Sequence, residues 1–410
     1  MEQPWSNIKE FIREADRRYA ESYSSFVDYV NSYHYPLERS NADPFSPEYR
    51  AWVIREYLSV AELDHYDPEQ NESARLDSVP LATSQQFPYS TKDPVVVGNY
   101  LAGIAMVMRA LSLPAGSKLI EYGAGWGHLA MMLGESGFDV TCIDIEPVFV
   151  DLINARGKAA GVAVRAERGA FGTIPAGMTS ADGVLFMEAF HHSLDHLAVV
   201  KQIYSLLRPG GEFILGAECI YPWFDCPWGI RPDGHAIWAV NKLKWMELGF
   251  SENYFVTMLM RNGFIVSKTL VEALGPMGLV YKGVKLTPSQ TAQPGFLPPE
   301  SRATWAPGAE TDILFAGKGS HMPLADLAGC SEVTVSLTNY LPVTLRVEAT
   351  VGGDRRSLSL KHNQQASLIF RLRAGSGPLS IRSDTACPQK LGLNDDTREL
   401  GAVLTGLVYR

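Results

Sequence analysis

The sequence predicts an α/β protein whose central unit is a doubly wound parallel sheet, with helices before it and a β-sandwich after it. Three observations predict this class. From residue 118 to about 285, short apolar runs alternate with helical patterns, as in a parallel sheet with crossover helices. Before this stretch, apolar side chains recur at helical spacing. From residue 310 onward, short segments alternate apolar and polar residues and are separated by turn residues.

The composition limits the classes of protein to which this chain can belong. With 410 residues we expect two or three folded units, because domains usually span ~100–200 residues. A hydrophobic fraction of 46% and a charged fraction of 20% are typical of a globular protein and argue against a disordered one. The formal net charge is −9 and there is no basic block, so nucleic acid is not expected as a partner.

Location and redox state follow from two further features. No apolar run approaches the ~20 residues that span a bilayer, and the N-terminus lacks the apolar stretch of a signal peptide. We therefore expect no transmembrane segment and a cytoplasmic location. The cysteines are scattered and lack the paired CxxC spacing of a zinc site. We expect reduced, structural thiols at Cys142, Cys219, Cys226, Cys330 and Cys387.

Residues 1–94 are predicted to form a helical extension. Apolar residues from Trp5 to Phe26 recur at intervals that place them on one stripe of a single long helix. The aromatic members of this stripe favour packing against the protein's own core or against a second subunit, so a homo-oligomer is one expected outcome. Two more helical patterns cover about residues 47–60 and 94–111.

Residues 95–285 carry the alternating pattern of the central sheet. The predicted strands are KLIEY, VTCIDI, VAVRAE, GVLFM, EFILGA, FIVSK and LVYKG. An interruption over residues 218–250 is too long for a simple connection in such a fold, and long connections of this kind are often functional.

The remaining chain is predicted to divide into a linker and a second domain. Residues 286–309 contain several prolines, which disfavour helix and central strand, so we expect a linker there. Residues 310–410 contain the segments TVSLTN, TLRVEATV, SLSLKH, ASLIFRLRA, PLSIRS and VLTGLVY, which predict a β-sandwich of about seven strands. Nothing identifies a ligand site in this region, so scaffold or dimer contact is the expected role.

A glycine-rich turn marks the predicted cofactor site. Gly123, Gly125 and Gly127 follow the first strand and precede a helix, where they let the backbone turn tightly and approach a ligand. Asp144 ends the second strand, at the spacing expected of a carboxylate that accepts hydrogen bonds from the two ribose hydroxyls of an adenosine. Loop, strand, helix and acid together predict a nucleoside-containing cofactor.

Two cofactors compete for this turn, a nicotinamide dinucleotide and S-adenosylmethionine. Dinucleotide sites use GxGxxG to bring a helix N-terminus to a pyrophosphate, whereas the spacing here is GxGxG. Glu121, which precedes the turn, would repel a pyrophosphate but suits the ammonium group of a methionine moiety. The spacing and the acid therefore favour S-adenosylmethionine.

The motifs IEYGAGWG, CIDIEP, FMEAFHH and LLRPGGEFIL resemble successive motifs of the class I S-adenosylmethionine-dependent methyltransferases. The resemblance covers about residues 95–285 and implies a Rossmann-like methyltransferase sheet. At the adenine end, where family members often carry an acidic residue, residues 167–171 are ERGAF, so Ala170 and Phe171 are expected to serve instead. The implied cofactor-binding residues are Glu121, Tyr122, Gly123, Gly125, Gly127, Asp144, Ile145, Ala170, Phe171 and Glu188.

Three shorter segments, PWGIRPDG, WMELGF and FPYST, resemble a bacterial branch of these methyltransferases that is encoded with glycosyltransferases for surface polysaccharides. The ending LGLNDDTRELG resembles C-terminal segments of polysaccharide-building proteins. These resemblances imply O-methylation of a sugar unit in a glycan or glycolipid. Two alternatives stay open, namely methylation of another small metabolite at O, N or C, and a non-catalytic carbohydrate-binding or assembly module.

A sugar hydroxyl is a weak nucleophile at neutral pH, so an O-methyltransferase needs a base within hydrogen-bond reach. His191 and His192 follow the fourth predicted strand, at the edge of the sheet where open α/β folds bind ligands. One of them is the candidate base, although either could instead only hold the neighbouring loop. Glu188 and Glu218, each just beyond a strand end, are alternatives or orienting partners.

The trio His191, His192 and His196 raises the question of a metal. Ser193 is expected to be the N-cap of the next helix, which would leave His192 outside it. That arrangement breaks the shared face on which an i, i+4 pair of ligands must lie. We therefore predict that no metal is used.

The insertion 218–250 is predicted to bind the acceptor. It is rich in tryptophan and also carries charged residues, and aromatic faces beside polar groups suit a sugar ring. A small satellite core that holds the insertion in place is the alternative. The candidate substrate-binding residues are Glu218, Trp223, Trp228, Arg231, Asp233, His235 and Trp238, with Trp245 as a further tryptophan of the insertion.

Overall fold

The computed structural model describes residues 4–37, 40–74, 76, 78–79, 83, 86–221, 224–285, 320–322, 331–339, 341–362, 364–373, 379–387, 390–392 and 401–409. The helices in these residues are α1 (Pro4–Glu21), α2 (Tyr23–Val30), α3 (Pro47–Ala61), α4 (Pro68–Asn71), α5 (Pro94–Ala110), α6 (His128–Glu135), α7 (Pro147–Ala160), α8 (His196–Leu206), α9 (Gly234–Lys242) and α10 (Glu252–Arg261).

The central sheet confirms the predicted strands of residues 95–285. Its members are β1 (Lys118–Tyr122), β2 (Asp139–Asp144), β3 (Val164–Arg168), β4 (Ala181–Met187), β5 (Leu207–Gly216), β9 (Phe264–Leu270) and β10 (Leu279–Lys285). They lie in the order β9-β10-β5-β4-β1-β2-β3. The strands β1 to β5 pair in parallel, whereas β10 is antiparallel to both β5 and β9. The strand order reverses between β1 and β4, and open α/β sheets bind ligands at such a switch point.

Both faces of the sheet are covered, as a doubly wound fold requires. Ile120 and Phe186 belong to a core cluster that also includes residues of α1, α3, α8 and α10. The adjacent Leu119 and Leu185 belong to a second cluster, which includes residues of α5 and α6. Successive side chains of a strand point to opposite faces, so the apolar strand sequences supply both cores.

The N-terminal region is helical, but it contains two helices where a single one was predicted. Ser22 has an extended backbone and its side chain accepts a hydrogen bond from the Ser25 amide, so it caps α2 and interrupts the helix. The first helix packs against α2, and both contact α9 of the insertion. The aromatic stripe is therefore used within the chain, through contacts such as that of Phe26 with Trp238.

The insertion forms a small unit of its own. It contains β6 (Ile220–Tyr221), β7 (Trp228–Ile230), α9 and β8 (Leu248–Ser251), and its strands form a three-stranded sheet in the order β6-β8-β7. Helix α3 packs on both α9 and β7, so the N-terminal extension and the insertion are joined.

The C-terminal strands form two sheets, but one of these sheets is not separate from the centre. The strands are β11 (Ser320–Met322), β12 (Glu332–Thr338), β13 (Leu345–Val351), β14 (Asp354–Leu360), β15 (Gln365–Arg371), β16 (Leu379–Ser383) and β17 (Val403–Tyr409). One sheet has the order β11-β16-β13-β14. The other, β15-β12-β17, continues the central sheet because β17 pairs in parallel with β9.

This pairing departs from the predicted separate sandwich. The seven strands found in the described residues agree with the predicted number. However, β9 would be an exposed sheet edge without β17, and sheet edges attract further strands. The linker at residues 286–309 lies outside the described residues, so the domain boundary stays a prediction. No helix among the described residues is both long and apolar enough to cross a membrane.

Candidate active site

The glycine turn lies at the carboxyl end of β1, at the switch point. Gly125 has φ of 53°, and a side chain there would meet no atom within 4 Å, because the residue faces open space. Gly127 has φ of 71°, and a Cβ would lie 2.7 Å from Ile153 Cγ1. Glycine is therefore needed at both positions, at Gly125 for the backbone conformation and at Gly127 also for packing of α6 against α7.

Asp144 ends β2 beside this turn. Its Oδ2 accepts a hydrogen bond of 2.9 Å from the Gly125 amide, and its Oδ1 accepts one of 2.9 Å from the Glu146 amide. Burial raises the pKa of Asp144 to about 6, although these hydrogen bonds favour its ionised form. A carboxylate has about four acceptor positions, so both oxygens can accept further hydrogen bonds from a ligand.

Glu121 is the neighbouring acid on β1. It is buried, and its Oε2 has no hydrogen-bond partner among the described residues. Burial, and then the charge of Asp144, raise the pKa of Glu121 to about 8. A buried carboxyl oxygen without a partner is costly unless a ligand satisfies it, and a cationic group would do so best.

A cavity of about 990 Å³ extends from the glycine turn to the insertion. Most of the predicted cofactor-binding residues line it, namely Glu121, Gly123, Gly125, Asp144, Ile145, Ala170, Phe171 and Glu188. Tyr122 and Gly127 do not line it, which corrects the prediction. Because Tyr122 alternates with Glu121 along β1, its ring points into the core, and its hydroxyl donates to Thr173 O at 2.8 Å.

The turn after β4 carries the candidate catalytic residues. Glu188 has φ of 51°, and a 3₁₀ turn from Phe190 to His192 follows it. Burial, and then the charges of Glu218 and Glu247, raise the pKa of Glu188 to about 7. Glu188, His191 and His192 all line the cavity.

Glu218 holds this turn, which agrees with its predicted role as an orienting partner and departs from its predicted place among the substrate-binding residues. Its carboxylate accepts hydrogen bonds from the amides of Ala189, Phe190 and His191 at 2.9–3.1 Å, and its Oε2 lies 2.9 Å from His191 Nδ1. Burial alone would raise the pKa of Glu218, but His191 and these amides lower it. Glu218 is 2% exposed and does not line the cavity. It thus orients His191 as a buried, ionised carboxylate.

The two histidines have different electrostatic surroundings. Because Glu218 binds Nδ1 of His191, the Nε2 atom is left for other partners, and it lies 4.0 Å from Glu247 Oε2. His192 Nδ1 lies 3.2 Å from Glu72 Oε2. Burial by itself lowers the pKa of His192, but Glu72, followed by Glu247 and Glu218, raises it to about 9. His192 is therefore charged at neutral pH, and His191 is the better candidate for a base.

The predicted substrate-binding residues divide into two groups. Arg231 and His235 line the cavity, and Arg231 Nη1 lies 3.4 Å from Glu247 Oε2. Asp233 does not line it, because its side chain caps α9 and pairs with Arg231. Trp223 lies outside the described residues.

Two of the tryptophans are structural, which corrects their assignment to the acceptor site. Trp228 is 1% exposed, packs on His196 and donates to Pro44 O at 2.8 Å. Trp238 packs on Phe26 of α2 and donates to Asp16 Oδ1 at 3.0 Å. Both side chains thus form the satellite core that joins the insertion to the N-terminal helices, which was the alternative considered for them.

His196 does not join the other two histidines. It is fully buried, with Nδ1 3.2 Å from Ser193 O and Nε2 2.8 Å from the Tyr254 hydroxyl. Burial lowers its pKa to about 4. Ser193 is not the N-cap of α8, because that helix begins at His196 after Asp195. The predicted trio is therefore separated by core packing.

The cavity also contains residues that were not predicted as site residues, among them Glu72 and Glu247. Glu72 follows α4 in the N-terminal extension, whereas Glu247 and Trp245 belong to the insertion. Glu247 and Trp245 lie in the segment WMELGF, but no local sequence pattern links them to the histidines. Glu72 lies 120 positions before His192, and only the tertiary fold brings them together.

Comparison with known proteins agrees with the chemistry of this cavity. Residues 120–215 match a family model described as a methyltransferase domain. The ubiquinone biosynthesis O-methyltransferase of Xanthomonas axonopodis pv. citri (strain 306) is 32% identical over 103 residues, which are 25% of this chain and 43% of the relative. The 27-O-demethylrifamycin SV methyltransferase of Amycolatopsis mediterranei (strain S699) is 32% identical over 135 residues, 32% of this chain and 48% of the relative.

Not every relative is named a methyltransferase. The S-adenosyl-L-methionine-dependent Diels-Alderase iccD of Talaromyces variabilis is 31% identical over 113 residues, 27% of this chain and 39% of the relative. The matches with these three relatives cover less than half of each relative's length.

Among solved structures, the 1,6-didemethyltoxoflavin-N1-methyltransferase of Burkholderia thailandensis is a complex with 1,6-didemethyltoxoflavin and S-adenosylhomocysteine. The match covers 62% of this chain and 95% of that chain, at 18% identity and a TM-score of 0.38. A likeness this weak carries no argument about the reaction of this chain.

Proposed function

We propose that this chain, whose residues 120–215 match a family model described as a methyltransferase domain, uses S-adenosylmethionine to methylate a hydroxyl oxygen of a small acceptor. The observation that carries the proposal is the arrangement of one cavity. Glu121, whose Oε2 lacks a partner among the described residues, and the acceptor atoms of Asp144 line this cavity, and His191, oriented by Glu218, lines the same space.

The residues present fit the cofactor in three places. The buried Glu121 Oε2 can pair with the ammonium group of the methionine moiety, which would satisfy the oxygen that otherwise lacks a partner. Asp144 can accept hydrogen bonds from the ribose hydroxyls. The ring of Phe171, which lies close to Gly123, and the backbone of Ala170 would contact the adenine, since both residues line the cavity.

The chemistry is a displacement at the methyl carbon. When bound, S-adenosylmethionine would supply the methyl group: its sulfur–methyl bond would break as the acceptor oxygen bonded to the methyl carbon, leaving a neutral thioether. The hydroxyl proton must leave, and His191 is placed to accept it through Nε2 because Nδ1 is held by Glu218. The imidazolium that results would be stabilised by the ionised Glu218.

We further propose that the acceptor is a sugar unit of a glycan or glycolipid. The insertion side of the cavity presents Tyr221 and Trp245 together with the charged pair Arg231 and Glu247. Aromatic faces next to paired polar groups suit a ring that offers C–H faces and hydroxyl edges. One relative is named an O-methyltransferase, and another is named as the methyltransferase of a 27-O-demethylated compound. Both names favour oxygen as the methylated atom.

A transfer assay tests this proposal. The full chain would be incubated with isotope-labelled S-adenosylmethionine and a panel of sugar nucleotides, oligosaccharides and hydroxyl-bearing metabolites, and the labelled product would be mapped by NMR. We expect a new O–CH₃ group on a sugar ring, and an equal rate for the His65→Ala variant, whose side chain is exposed. Transfer to nitrogen or carbon only would contradict the assignment of the acceptor atom.

A further inference from the structure

One cluster of side chains in the cavity has more members than a single catalytic base requires. His191, His192 and Glu247 each offer one ligand atom, and these atoms lie within 4.8 Å of one another. The separation of 4.0 Å between His191 Nε2 and Glu247 Oε2 is too long for a hydrogen bond. Two ligands of one tetrahedral zinc ion, at ~2.0–2.2 Å from it, lie ~3.3–3.5 Å apart, so a small closing movement would suffice.

We propose that His191, His192 and Glu247 form a binding site for a divalent transition-metal ion, which coordinates the acceptor hydroxyl during methyl transfer. The part of the proposal that concerns the acceptor rests on the proposed function, whereas metal binding itself does not. The proposal departs from the prediction that no metal is used, and its ligand set differs from the histidine trio that was rejected there, because Glu247 of the insertion takes the place of His196.

The first support is the hydrogen bonding of His191. Metal-binding histidines almost always donate their other ring N–H to a carboxylate or a carbonyl, which fixes the tautomer and orients the ring. His191 Nδ1 lies 2.9 Å from Glu218 Oε2, and Glu218 is itself fixed by three backbone amides. The lone pair of His191 is therefore on Nε2, the atom nearest Glu247.

The second support is the carboxylate beside the other histidine. His192 Nδ1 lies 3.2 Å from Glu72 Oε2, and it has no hydrogen bond of proper geometry among the described residues. A metal ion would bind this imidazole in its neutral form. Glu72 would then remain as a carboxylate next to a ligating imidazole.

The third support is the charge of the surroundings. The carboxylates of Glu72, Glu218 and Glu247 meet around the two histidines, and Glu188 adjoins them. The one guanidinium close to this group within the described residues is that of Arg231, 3.4 Å from Glu247. A divalent cation would offset the excess of buried negative charge.

The ligand types indicate which ion fits. Two imidazoles and one carboxylate suit Zn²⁺ and neighbouring transition metals, whereas Mg²⁺ prefers oxygen ligands. Three protein ligands leave at least one position for the acceptor oxygen, which coordination would make more acidic. With both histidines bound to the ion, the hydroxyl proton would pass to Glu188, a carboxyl group that lines the same cavity.

The test is a metal titration without cofactor or acceptor. The full chain, freed of metal with a chelator, would be titrated with Co²⁺ and Zn²⁺, with calorimetry and the visible absorption of Co²⁺ as readouts. We expect one site per chain. His191→Ala and Glu247→Gln should each lower its affinity by at least ~100-fold, and Glu218→Gln by ~10–100-fold. The matched control is His65→Ala, an exposed histidine whose removal should leave this site unchanged.

The affinity of each variant for S-adenosylmethionine shows whether its fold is intact and separates the two proposals. If the wild type binds the cofactor but binds Co²⁺ no more tightly than the His191→Ala/Glu247→Gln double variant, the metal site is refuted. Methyl transfer with His191 as the base would then stand. If the cofactor does not bind, the proposed function fails, and the Co²⁺ titration with circular dichroism as the fold check still decides the metal site.

Discussion

Glu121 is a buried carboxyl group whose Oε2 lacks a hydrogen-bond partner among the described residues. Its pKa is raised to about 8, first by burial and then by Asp144. At pH 7 the group is therefore mostly protonated, unlike an exposed glutamate. An ammonium group bound beside it would stabilise the carboxylate and lower this pKa, so binding of a cationic ligand must be coupled to loss of a proton.

We therefore expect S-adenosylmethionine to release close to one proton from Glu121 when it binds at pH 7. Asp144, with a pKa of about 6, is already mostly ionised at that pH and contributes little. Calorimetry in two buffers with different ionisation enthalpies measures the release. The Glu121→Gln variant should show none, and equal proton release in this variant would contradict the role of Glu121.

His191 is needed by both proposals, as the base of methyl transfer or as a ligand of the metal ion. We expect His191→Ala to lower turnover by ~10²–10⁴ and to leave the affinity for S-adenosylmethionine nearly unchanged, because the imidazole lies away from Glu121 and Asp144. The measurement compares kcat with the cofactor dissociation constant. Loss of cofactor binding alone would make His191 a structural residue. Near-normal turnover in His191→Ala, His192→Ala and the double variant would exclude both histidines.

At the scale of the elements, the insertion has two separate roles, one in packing and one in lining the cavity. Trp228 and Trp238 pack against the N-terminal helices and hold the insertion in place. Trp245 lines the cavity, where its ring meets His192 edge-on at 6.0 Å between centroids and its Nε1 donates to Ser73 O. Trp228 and Trp238 are thus structural, whereas Trp245 faces the cavity.

This division gives a matched pair of variants. Trp245→Ala should raise the KM for the acceptor about 10-fold, which corresponds to ~1–1.5 kcal/mol of lost aromatic contact, with little change in cofactor affinity. Trp238→Ala should lower the free energy of unfolding by ~2–4 kcal/mol and leave that KM unchanged. Steady-state kinetics and denaturant unfolding check the two effects. A larger KM effect for Trp238→Ala than for Trp245→Ala would argue against the division.

The elements differ in how far the sequence predicts them. The strands of the central sheet were predicted because their apolar runs are local and end at turn residues, and the glycine turn because its spacing is local. The interruption at Ser22 was missed, since the apolar stripe continues across it and only the cap shows the break. Glu72 and Glu247 were missed for another reason. Their pairing with the histidines depends on long-range packing, which leaves no periodic pattern.

At the scale of the whole molecule, three regions meet at one cavity. The extension supplies Glu72, the central sheet supplies the glycine turn and His191, and the insertion supplies Glu247. The C-terminal strands are joined to the far side of this sheet through β17 and β9. The predicted C-terminal domain is therefore attached by backbone hydrogen bonds as well as by its linker.

The division of the chain at residues 286–309 is a prediction from the prolines of that stretch. Limited proteolysis should cut there first if the linker is exposed, and it should leave a fragment that ends near residue 285. Because β17 pairs with β9, we expect the two fragments to stay associated after cleavage. Mass spectrometry of the fragments and gel filtration of the cut protein check both parts. First cuts within the central sheet would contradict the division.

Calorimetric titration with S-adenosylmethionine and its demethylated product tests the central claim most directly, because methyl transfer requires that cofactor in this cavity. We expect one molecule to bind per chain. Asp144→Ala should weaken binding by ~1–3 kcal/mol through loss of the ribose hydrogen bonds. Asp144→Asn should show whether charge is needed besides hydrogen bonding. No binding by the wild type, or an unchanged affinity in Asp144→Ala, would contradict the account.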